Sequence, residues 1–252
     1  MEHVICPLSI VPVRKDPSHR AEMVTQWLFG ETAEVLERQE KWSQLRFDHD
    51  GYEGWVDNKQ LVLCETPNFD PDQRVIDLSS IVDLGDRQVL LPYGAVLPFY
   101  ADGSILFLGQ RVPVNAVTSH GHSGERMELI ETFMHPFLGA PYLWGGRTPS
   151  GVDCSGLTQM LFMLMGIYLP RDAAQQAEEG DTVELLDLAE PGDLAFFNNV
   201  EGRIVHVGIV LPERRIIHAS GRVRIDMLDQ EGIFNSEEKR YTHKLRLVKR
   251  VL

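Results

Sequence analysis

The tetrapeptide Asp153-Cys-Ser-Gly places the thiol of Cys154 where an apolar helix is expected to begin. Two histidines, His206 and His218, follow in or beside strand-like runs. A thiol at a helix start is close to unpaired backbone N–H groups, which favour the thiolate and can hold an oxyanion. With one imidazole as base and a second to orient it, these residues have the chemistry of nucleophilic catalysis.

Cys154 also has less reactive interpretations. Most free cysteines are buried core residues, so the local sequence leaves a purely structural role open. The histidines favour the nucleophile, because the runs 205–211 and 215–219 are predicted to form an antiparallel hairpin in which side chains meet if the register agrees. A zinc site made of Cys154, His206 and His218 is a further alternative.

The first part of the chain, residues 1–66, has the pattern of a small β-barrel. Short strands are separated by tight turns such as Asp50-Gly51, and few helical periods occur. The predicted strands include 33–36, 42–47 and 52–56.

Residues 74–118 form a second β-rich stretch, which a linker rich in proline and aspartate at 67–72 separates from the first. Its similar strand spacing predicts a second small barrel. The predicted strands are 89–91, 96–100 and 105–108.

A third domain is predicted over 125–252, after a polar and glycine-rich boundary at 119–125. Within that boundary, His120-Gly-His122 is interpreted as a linker rather than a metal pair, because no third ligand is near in sequence. Helical periodicity and a long apolar run come first, and strands follow, which is typical of an α+β domain. The predicted helices are 127–137 and 157–165, and the predicted strands are 194–197, 205–211, 215–219 and 245–251.

The composition limits the class of protein. The chain has 252 residues and a formal net charge of -13, which argues against nucleic acid or an anionic membrane as partner. No apolar run is long enough to span a bilayer, and the N-terminus lacks a signal-peptide pattern. Three cysteines cannot all pair within one chain, so a cytoplasmic location is expected. The expected chemistry needs no cofactor and no metal, and the oligomeric state stays open.

An ordered set of motifs over residues 125–252 resembles the NlpC/P60 cysteine peptidases. The motifs are Pro141-Tyr-Leu-Trp-Gly-Gly, Asp153-Cys-Ser-Gly-Leu, Leu169-Pro-Arg-Asp, Pro191-Gly-Asp-Leu, His206-Val-Gly-Ile and Ile217-His-Ala. The resemblance implies a papain-like α+β fold that cleaves cell-wall peptides. It also implies that Cys154 is the nucleophile, His206 the base and His218 the orienting third member.

The same resemblance implies a substrate site beside the nucleophile. Tyr142 matches a tyrosine that shapes the oxyanion region, and Asp153 and Ser155 match positions that line the substrate pocket. Arg171 has two interpretations, since a guanidinium can bind a substrate carboxylate or form a local ion pair.

The β-rich part resembles bacterial SH3 modules, with a second and divergent one at 74–118. The residues that carry this likeness are Trp27-Leu-Phe-Gly-Glu, Trp42-Ser and Gly51-Tyr-Glu-Gly-Trp-Val-Asp. The whole arrangement is similar to the γ-D-glutamyl-L-diamino acid endopeptidases, in which the first SH3 module restricts the substrate cleft. Tyr52 and Glu53 are candidates for that restriction, with barrel packing and a solvated charge as the respective alternatives.

The resemblance therefore implies a cysteine endopeptidase that hydrolyses the γ-D-glutamyl-diamino acid bond of short muropeptides with a free N-terminal L-Ala, in murein peptide recycling. An amidase or acyltransferase on the same scaffold is one alternative. A non-catalytic cell-wall-binding adaptor is another.

Overall fold

A computed structural model describes residues 2–64, 73–119 and 126–251 of the protein. The chain divides into two compact units, Met1–His122 and Ser123–Leu252. The predicted linker at 67–72 and the pair His120 and His122 lie outside the described residues. The predicted boundaries at 66, 74 and 118 stay predictions.

The first unit begins with an antiparallel sheet whose strands are joined by tight turns. At the predicted Asp50-Gly51 turn, Gly51 donates its N–H to the carbonyl of Phe47 at 2.8 Å and adopts a φ of 69°. Alternate residues such as Val11, Trp27 and Leu45 are buried in its core. In the order β3-β2-β6-β5-β4-β1-β7, the strands are β1 His3–Ile5, β2 Ile10–Arg14, β3 Met23–Leu28, β4 Thr32–Arg38, β5 Trp42–Phe47, β6 Glu53–Asp57 and β7 Val62–Cys64.

The stretch 73–119 packs into a hydrophobic cluster that it shares with the preceding sheet. Phe29 of the first sheet stacks on Phe107 with ring centroids 5.0 Å apart, and Ile5 belongs to the same cluster. Within the described residues its strands occur as separate pairs, and the second SH3-like barrel stays a prediction. The pairs are β8 Arg74–Val75 with β13 Thr118–Ser119, β9 Ile81–Asp83 with β10 Gln88–Leu90, and β11 Ser104–Phe107 with β12 Gln110–Pro113.

The predicted strand at 96–100 is wrong. This segment makes one isolated bridge, between Val96 and Arg74, and Phe99 adopts a φ of 49°, which extended strands exclude. Val96 instead donates its N–H to the carbonyl of Phe29, in the first sheet, at 2.9 Å. The apolar run therefore serves the shared core.

The second unit places helices before an antiparallel sheet, as the α+β prediction requires. The helices are α1 Arg126–Met134, α2 Cys154–Leu164 and α3 Ala173–Gln176, and a 3₁₀ turn follows α1 at His135–Phe137. The short strands β14 Arg147–Thr148 and β15 Gly151–Val152 pair just before α2. Every residue of α2 is buried, which agrees with its nearly continuous apolar sequence.

The large sheet of the second unit runs in the order β16-β22-β17-β18-β19-β20-β21. Because β21 also pairs with β22, the strands from β22 to β21 close on one another. Helix α2 packs against β18 and β19, the two strands that carry the candidate histidines. The remaining strands are β16 Asp181–Val183, β17 Leu194–Asn198, β18 Ile204–Leu211, β19 Arg215–Ser220, β20 Arg222–Leu228, β21 Gly232–Asn235 and β22 Arg240–Arg250.

Among the described residues, no helix combines the length and apolar character needed to cross a bilayer.

Candidate active site

Cys154 is the first residue of α2, and Asp153 caps the helix. The Asp153 carboxylate accepts the N–H of Gly156 at 2.7 Å, and it also accepts the N–H of Gly145 at 2.7 Å. The cap therefore ties the preceding loop to the helix start. The side chain of Cys154 lies where backbone N–H groups are not used within the helix.

Arg171 holds this cap in place. Its guanidinium donates to both oxygens of Asp153, at 3.0 and 2.6 Å, and to the hydroxyl of Ser155 at 2.9 Å. Arg171 is 1% exposed, so the ion pair is shielded from solvent. The local ion pair that the sequence left as one interpretation is present, and the substrate roles of Asp153, Ser155 and Arg171 stay predictions.

His206 and His218 are on neighbouring strands and share one face. In the β18–β19 register, His218 is opposite Gly208, so His206 lies two residues along on the same face. The rings meet edge to edge, with His206 Nε2 and His218 Nδ1 2.9 Å apart. The register that the sequence could not supply thus brings the two imidazoles together.

Gly208 allows β18 and β19 to approach closely beside His218. A Cβ at this position would lie 2.8 Å from the carbonyl oxygen of Ile217 and 2.9 Å from the Cβ of His218. Both separations are below normal contact distance, so any larger residue would push β18 and β19 apart or displace His218.

Asp226, which the sequence reasoning missed, completes the line of polar groups. It lies on β20, and its Oδ2 is 3.1 Å from Nε2 of His218. Burial raises the pKa of Asp226, but hydrogen bonds from His218 and Arg224 outweigh burial, and the net pKa is below its usual range. The carboxylate is therefore ionised at neutral pH and accepts a hydrogen bond from Nε2–H of His218.

This acceptor fixes the tautomers of both rings. Because Asp226 accepts from Nε2–H of His218, Nδ1 of His218 carries a lone pair. That lone pair accepts Nε2–H of His206, which leaves the Nδ1 of His206 unprotonated. An unprotonated Nδ1 is the form that can take a proton from a thiol.

Cys154 and His206 rest as neutral groups. Burial, followed by the charge of Asp153, raises the pKa of Cys154 to about 11, although the backbone N–H groups of Val207 and Ser155 oppose the shift. Burial, followed by the nearby His243 and His218, lowers the pKa of His206 well below 6.5. The backbone N–H of Ser155 at the helix start does favour the thiolate, as expected, but Cys154 is only 6% exposed and desolvation outweighs this effect.

Tyr142 lies in the electrostatic environment of Cys154. Burial, followed by the charges of Cys154 and Asp153, raises the pKa of Tyr142 to about 12. Its backbone N–H donates to the carbonyl of Gly221 at 3.0 Å, just after β19, so the tyrosine is anchored to the strand pair of the histidines. The phenol is a proton donor throughout the neutral range, which suits the predicted oxyanion role.

His243 on β22 is a third imidazole beside this pair. Its ring stacks on that of His206, with centroids 4.1 Å apart and planes 20° from parallel. Potential ligand atoms of His206, His218 and His243 lie within 4.8 Å of one another, so this is the group that a metal would use. Stacked rings direct their lone pairs along parallel planes rather than to one point, so the stacking opposes joint ligation by His206 and His243.

Tyr52 and Glu53 lie in the first unit. Glu53 is exposed and pairs with Arg46 across β5 and β6, with an N–O separation of 2.8 Å. Tyr52 is partly buried and packs on the core of the first sheet. Their substrate-binding role stays a prediction.

The comparisons with known proteins agree with this geometry. Residues 139–245 match the NlpC/P60 family, and residues 13–61 match the bacterial dipeptidyl-peptidase Sh3 domain. A Gamma-D-glutamyl-L-lysine dipeptidyl-peptidase of Bacillus subtilis is 33% identical over 213 residues, which are 77% of this chain and 71% of that protein. The chain belongs to the NlpC/P60 family.

Two further relatives extend the likeness of this NlpC/P60 protein over the rest of the chain. A Dipeptidyl-peptidase 6 of Lysinibacillus sphaericus is 26% identical over 249 residues, covering 86% of this chain and 88% of that protein. A crystal structure of an NlpC/P60 family protein from Bacillus cereus ATCC 10987 matches with a TM-score of 0.80 at 19% identity over 99% of each chain, which shows the fold.

The predicted recognition of an NlpC/P60 cysteine peptidase with an N-terminal bacterial SH3 domain is thus confirmed. Because the chain belongs to this family, it is a cysteine peptidase. The individual catalytic assignments of Cys154, His206 and His218 are taken up below as a proposal.

Proposed function

We propose that the protein is a cysteine endopeptidase that hydrolyses the γ-D-glutamyl-diamino acid bond of short muropeptides with a free N-terminal L-Ala. The observation that carries the proposal is the line His206–His218–Asp226, which presents an unprotonated imidazole nitrogen on β18, the strand whose Val207 N–H bonds the thiol of Cys154. The names of the relatives from Bacillus subtilis and Lysinibacillus sphaericus support the substrate class.

In the first half-reaction, the Sγ of Cys154 attacks the γ-carbonyl carbon of D-glutamate while its proton moves to Nδ1 of His206. Because thiol and imidazole are both neutral at rest, proton transfer and attack are coupled. The developing oxyanion is placed near the backbone N–H of Cys154 at the helix start and the phenol of Tyr142.

The tetrahedral intermediate then collapses. His206 donates its proton to the departing amine of the diamino acid, the C–N bond breaks, and a thioester on Cys154 remains. In the second half-reaction, His206 takes a proton from water, whose oxygen attacks the thioester carbonyl. The C–S bond breaks, the proton returns to the sulfur, and L-Ala-γ-D-Glu leaves with a free carboxylate.

His218 and Asp226 stabilise the charged form of the base. When His206 becomes an imidazolium, its Nε2–H remains bonded to Nδ1 of His218, and the carboxylate of Asp226 compensates the added charge through that ring. The hydrogen bond that Arg224 donates to Asp226 at 3.0 Å helps to keep the pKa of this carboxyl group low.

The recycling role in the cytoplasm, the papain-like character of the domain and a second SH3-like module belong to the same proposal. Within the described residues no disulfide bond joins Cys6, Cys64 or Cys154, which agrees with the reducing compartment of the proposal. The roles of Tyr52, Glu53, Asp153, Ser155 and Arg171 in binding the peptide are proposed as well.

The test is a substrate panel analysed by mass spectrometry. L-Ala-γ-D-Glu-meso-diaminopimelate and L-Ala-γ-D-Glu-L-Lys should release L-Ala-γ-D-Glu, and the N-acetylated forms should be cleaved at least about tenfold more slowly, because they lack the ammonium that a charged partner binds. Cleavage at the L-Ala bond, or equal rates with and without acetylation, would contradict the substrate assignment.

A matched pair of cysteine variants controls for contaminating peptidases. Cys154→Ala should abolish turnover, while Cys64→Ala in the first unit should keep it within about twofold. Turnover that survives in Cys154→Ala would remove the nucleophile from the proposal.

A further inference from the structure

His243 is held in place by an unusual stretch of β22. Pairing with β21 shifts register between Ile233 and Phe234, and pairing with β17 shifts between Phe196 and Phe197. Register irregularities of this kind re-aim side chains and are frequent beside active sites. His243 lies on β22 between the two irregularities.

The backbone at this point depends on Gly232. Its φ is 140°, and an added Cβ would lie 1.8 Å from the carbonyl oxygen of His243. A residue with a side chain would displace β22 here, so the close approach of the two strands depends on glycine. The backbone position of His243 therefore depends on this close strand contact.

The ring of His243 covers one face of His206. The centroid separation of 4.1 Å and the 20° angle define a stacked pair, and the ring of Phe197 contacts both imidazoles, at 5.7 Å from His206 and 6.0 Å from His243. The hydrogen bond to His218 anchors a single atom, Nε2, and leaves rotation about that contact open. Stacking removes that rotation, because it fixes the plane of the ring.

The groups around His243 keep it uncharged during the reaction. His206 faces it from β18, His218 from β19 and Asp226 from β20, while Thr242 on its own strand lies 2.9 Å from its Nδ1. Burial, followed by His218, lowers the pKa of His243 to about 4, with Asp226 opposing the shift. A neutral ring is compatible with an imidazolium stacked on it, whereas a second cation would repel the proton-bearing form of His206.

We propose that His243 is a positioning residue for the base, holding the plane of the His206 imidazole so that its Nδ1 is directed at the thiol of Cys154. The inference rests on the proposed function, because it assigns His206 as the base. It gives a role to an imidazole that none of the family motifs in the sequence contains.

The variants His243→Ala and His243→Phe separate the contributions of ring and charge. His243→Ala should lower kcat on L-Ala-γ-D-Glu-L-Lys by about tenfold or more and leave KM within about twofold, since a misplaced base affects the transition state and not substrate binding. His243→Phe keeps a flat ring in the stack and should retain kcat within about threefold. Equal kcat in His243→Ala and the wild type would overturn the proposal.

A second readout needs no peptide substrate. The rate at which iodoacetamide alkylates Cys154, followed by mass spectrometry across pH, reports the proton equilibrium of the thiol and His206. The acid limb of this profile should move to higher pH in His243→Ala, and by less in His243→Phe, because a neighbour that lowers the pKa of His206 is lost. An unchanged profile in both variants would overturn the proposal.

Leu245→Ala is the matched control for loss of strand stability. Leu245 is on the same strand and packs on the sheet core without belonging to the stacked imidazole pair, so this variant should lower the melting temperature and keep kcat within about twofold. An equal loss of kcat in Leu245→Ala and His243→Ala, at equal melting temperatures, would overturn the proposal. Where His243→Ala fails to fold, His243→Gln replaces it, since it also lacks a ring and should behave in the same way.

The two proposals fail separately. If the wild-type enzyme leaves every γ-D-glutamyl peptide intact but the alkylation profile moves as expected, the substrate assignment is wrong and the role of His243 stands. If the peptides are cleaved and the profile and kcat are insensitive to residue 243, the role of His243 is wrong and the function stands.

Discussion

Among the described residues, each unit contains a buried arginine-carboxylate pair that can be compared, and the two pairs differ in their surroundings. In the first unit, Arg74 approaches Glu31 at 3.4 Å and donates to the carbonyl of Gly94 at 2.8 Å, and both charged side chains are 1% exposed. In the second unit, Arg171 contacts both oxygens of Asp153. The first pair connects two β-rich stretches, whereas the second fixes the residue before Cys154, the proposed nucleophile.

The comparison teaches that burial of an ion pair does not by itself indicate function. Both pairs are desolvated, so removing either arginine leaves a buried charge uncompensated. What differs is the partner of the carboxylate. Glu31 accepts the N–H of Leu28 at 3.0 Å in the turn between β3 and β4, while Asp153 accepts N–H groups on either side of Cys154.

The largest expected effect on kcat comes from removing the negative charge of Asp226, which acts on His206 through His218. Asp226→Asn places an amide where the carboxylate accepts Nε2–H of His218, and an amide N–H would stabilise the opposite tautomer of both rings. We expect kcat to fall roughly 10³-fold with little change in melting temperature, as for other triads whose tautomer is inverted. The measurement is kcat against circular-dichroism melting.

Asp229→Asn is the control for that substitution. Asp229 is also a carboxylate of the second unit with a lowered pKa, but it bonds Tyr241 and not a histidine. Its variant should keep kcat within about twofold, because no tautomer depends on it. If Asp226→Asn kept the wild-type kcat, the carboxylate of Asp226 would not determine the tautomers of His218 and His206.

Arg171→Met tests the pair beside Cys154. The uncompensated Asp153 should cost about 3–5 kcal/mol of unfolding free energy, and kcat of the folded fraction should fall about 10²-fold because the helix start moves. In the double variant Asp153→Asn, Arg171→Met, stability should recover and kcat should not. Recovery of both would mean that the pair serves stability alone.

Arg74→Met tests the other pair by the same chemistry. We expect a similar loss of about 3–5 kcal/mol in denaturant unfolding, with kcat of the folded fraction unchanged. Adding Glu31→Gln should restore most of the stability, since the buried charge is then gone. A specific loss of kcat in Arg74→Met would erase the distinction between the two pairs.

The smallest expected effect is a difference between the two units in how their stability depends on pH. His206 and His243 have lowered pKa values in the folded state, so the unfolded chain binds more protons below pH 6.5 and stability falls as the pH drops from 6.5 to about 4. Above pH 9, the raised pKa of Cys154 acts in the opposite sense, and stability falls as the pH rises to about 11. Hydrogen exchange at pH 5 should therefore accelerate in the second unit first, and faster exchange in the first unit would contradict this assignment.

The sequence predicted the parts of the site that a local pattern encodes. The apolar run after Cys154 gave α2, and alternation around His206 and His218 gave β18 and β19 close to their observed bounds. The family motifs that contain these residues are short and contiguous. Their order was enough to predict the family.

The sequence did not predict Asp226 or His243, because their roles depend on register between strands. β20 was not predicted at all, since its alternating arginine and apolar residues resemble an exposed hairpin as much as a strand of a closed sheet. The position of His243 depends on two register irregularities. A local pattern carries no information about either, and the effect of burial on the Cys154 thiol likewise requires the packed surroundings.

The narrow gap beside Gly208 has a practical consequence for surveys of related genes. A homologue can keep its cysteine and both imidazoles and still be inert, if a methyl group at this site forces the rings out of hydrogen-bond range. A screen that checks only the positions of Cys154, His206 and His218 would then count inactive homologues as peptidases. Position 208 is a filter that such a screen can apply from sequence, without any coordinates.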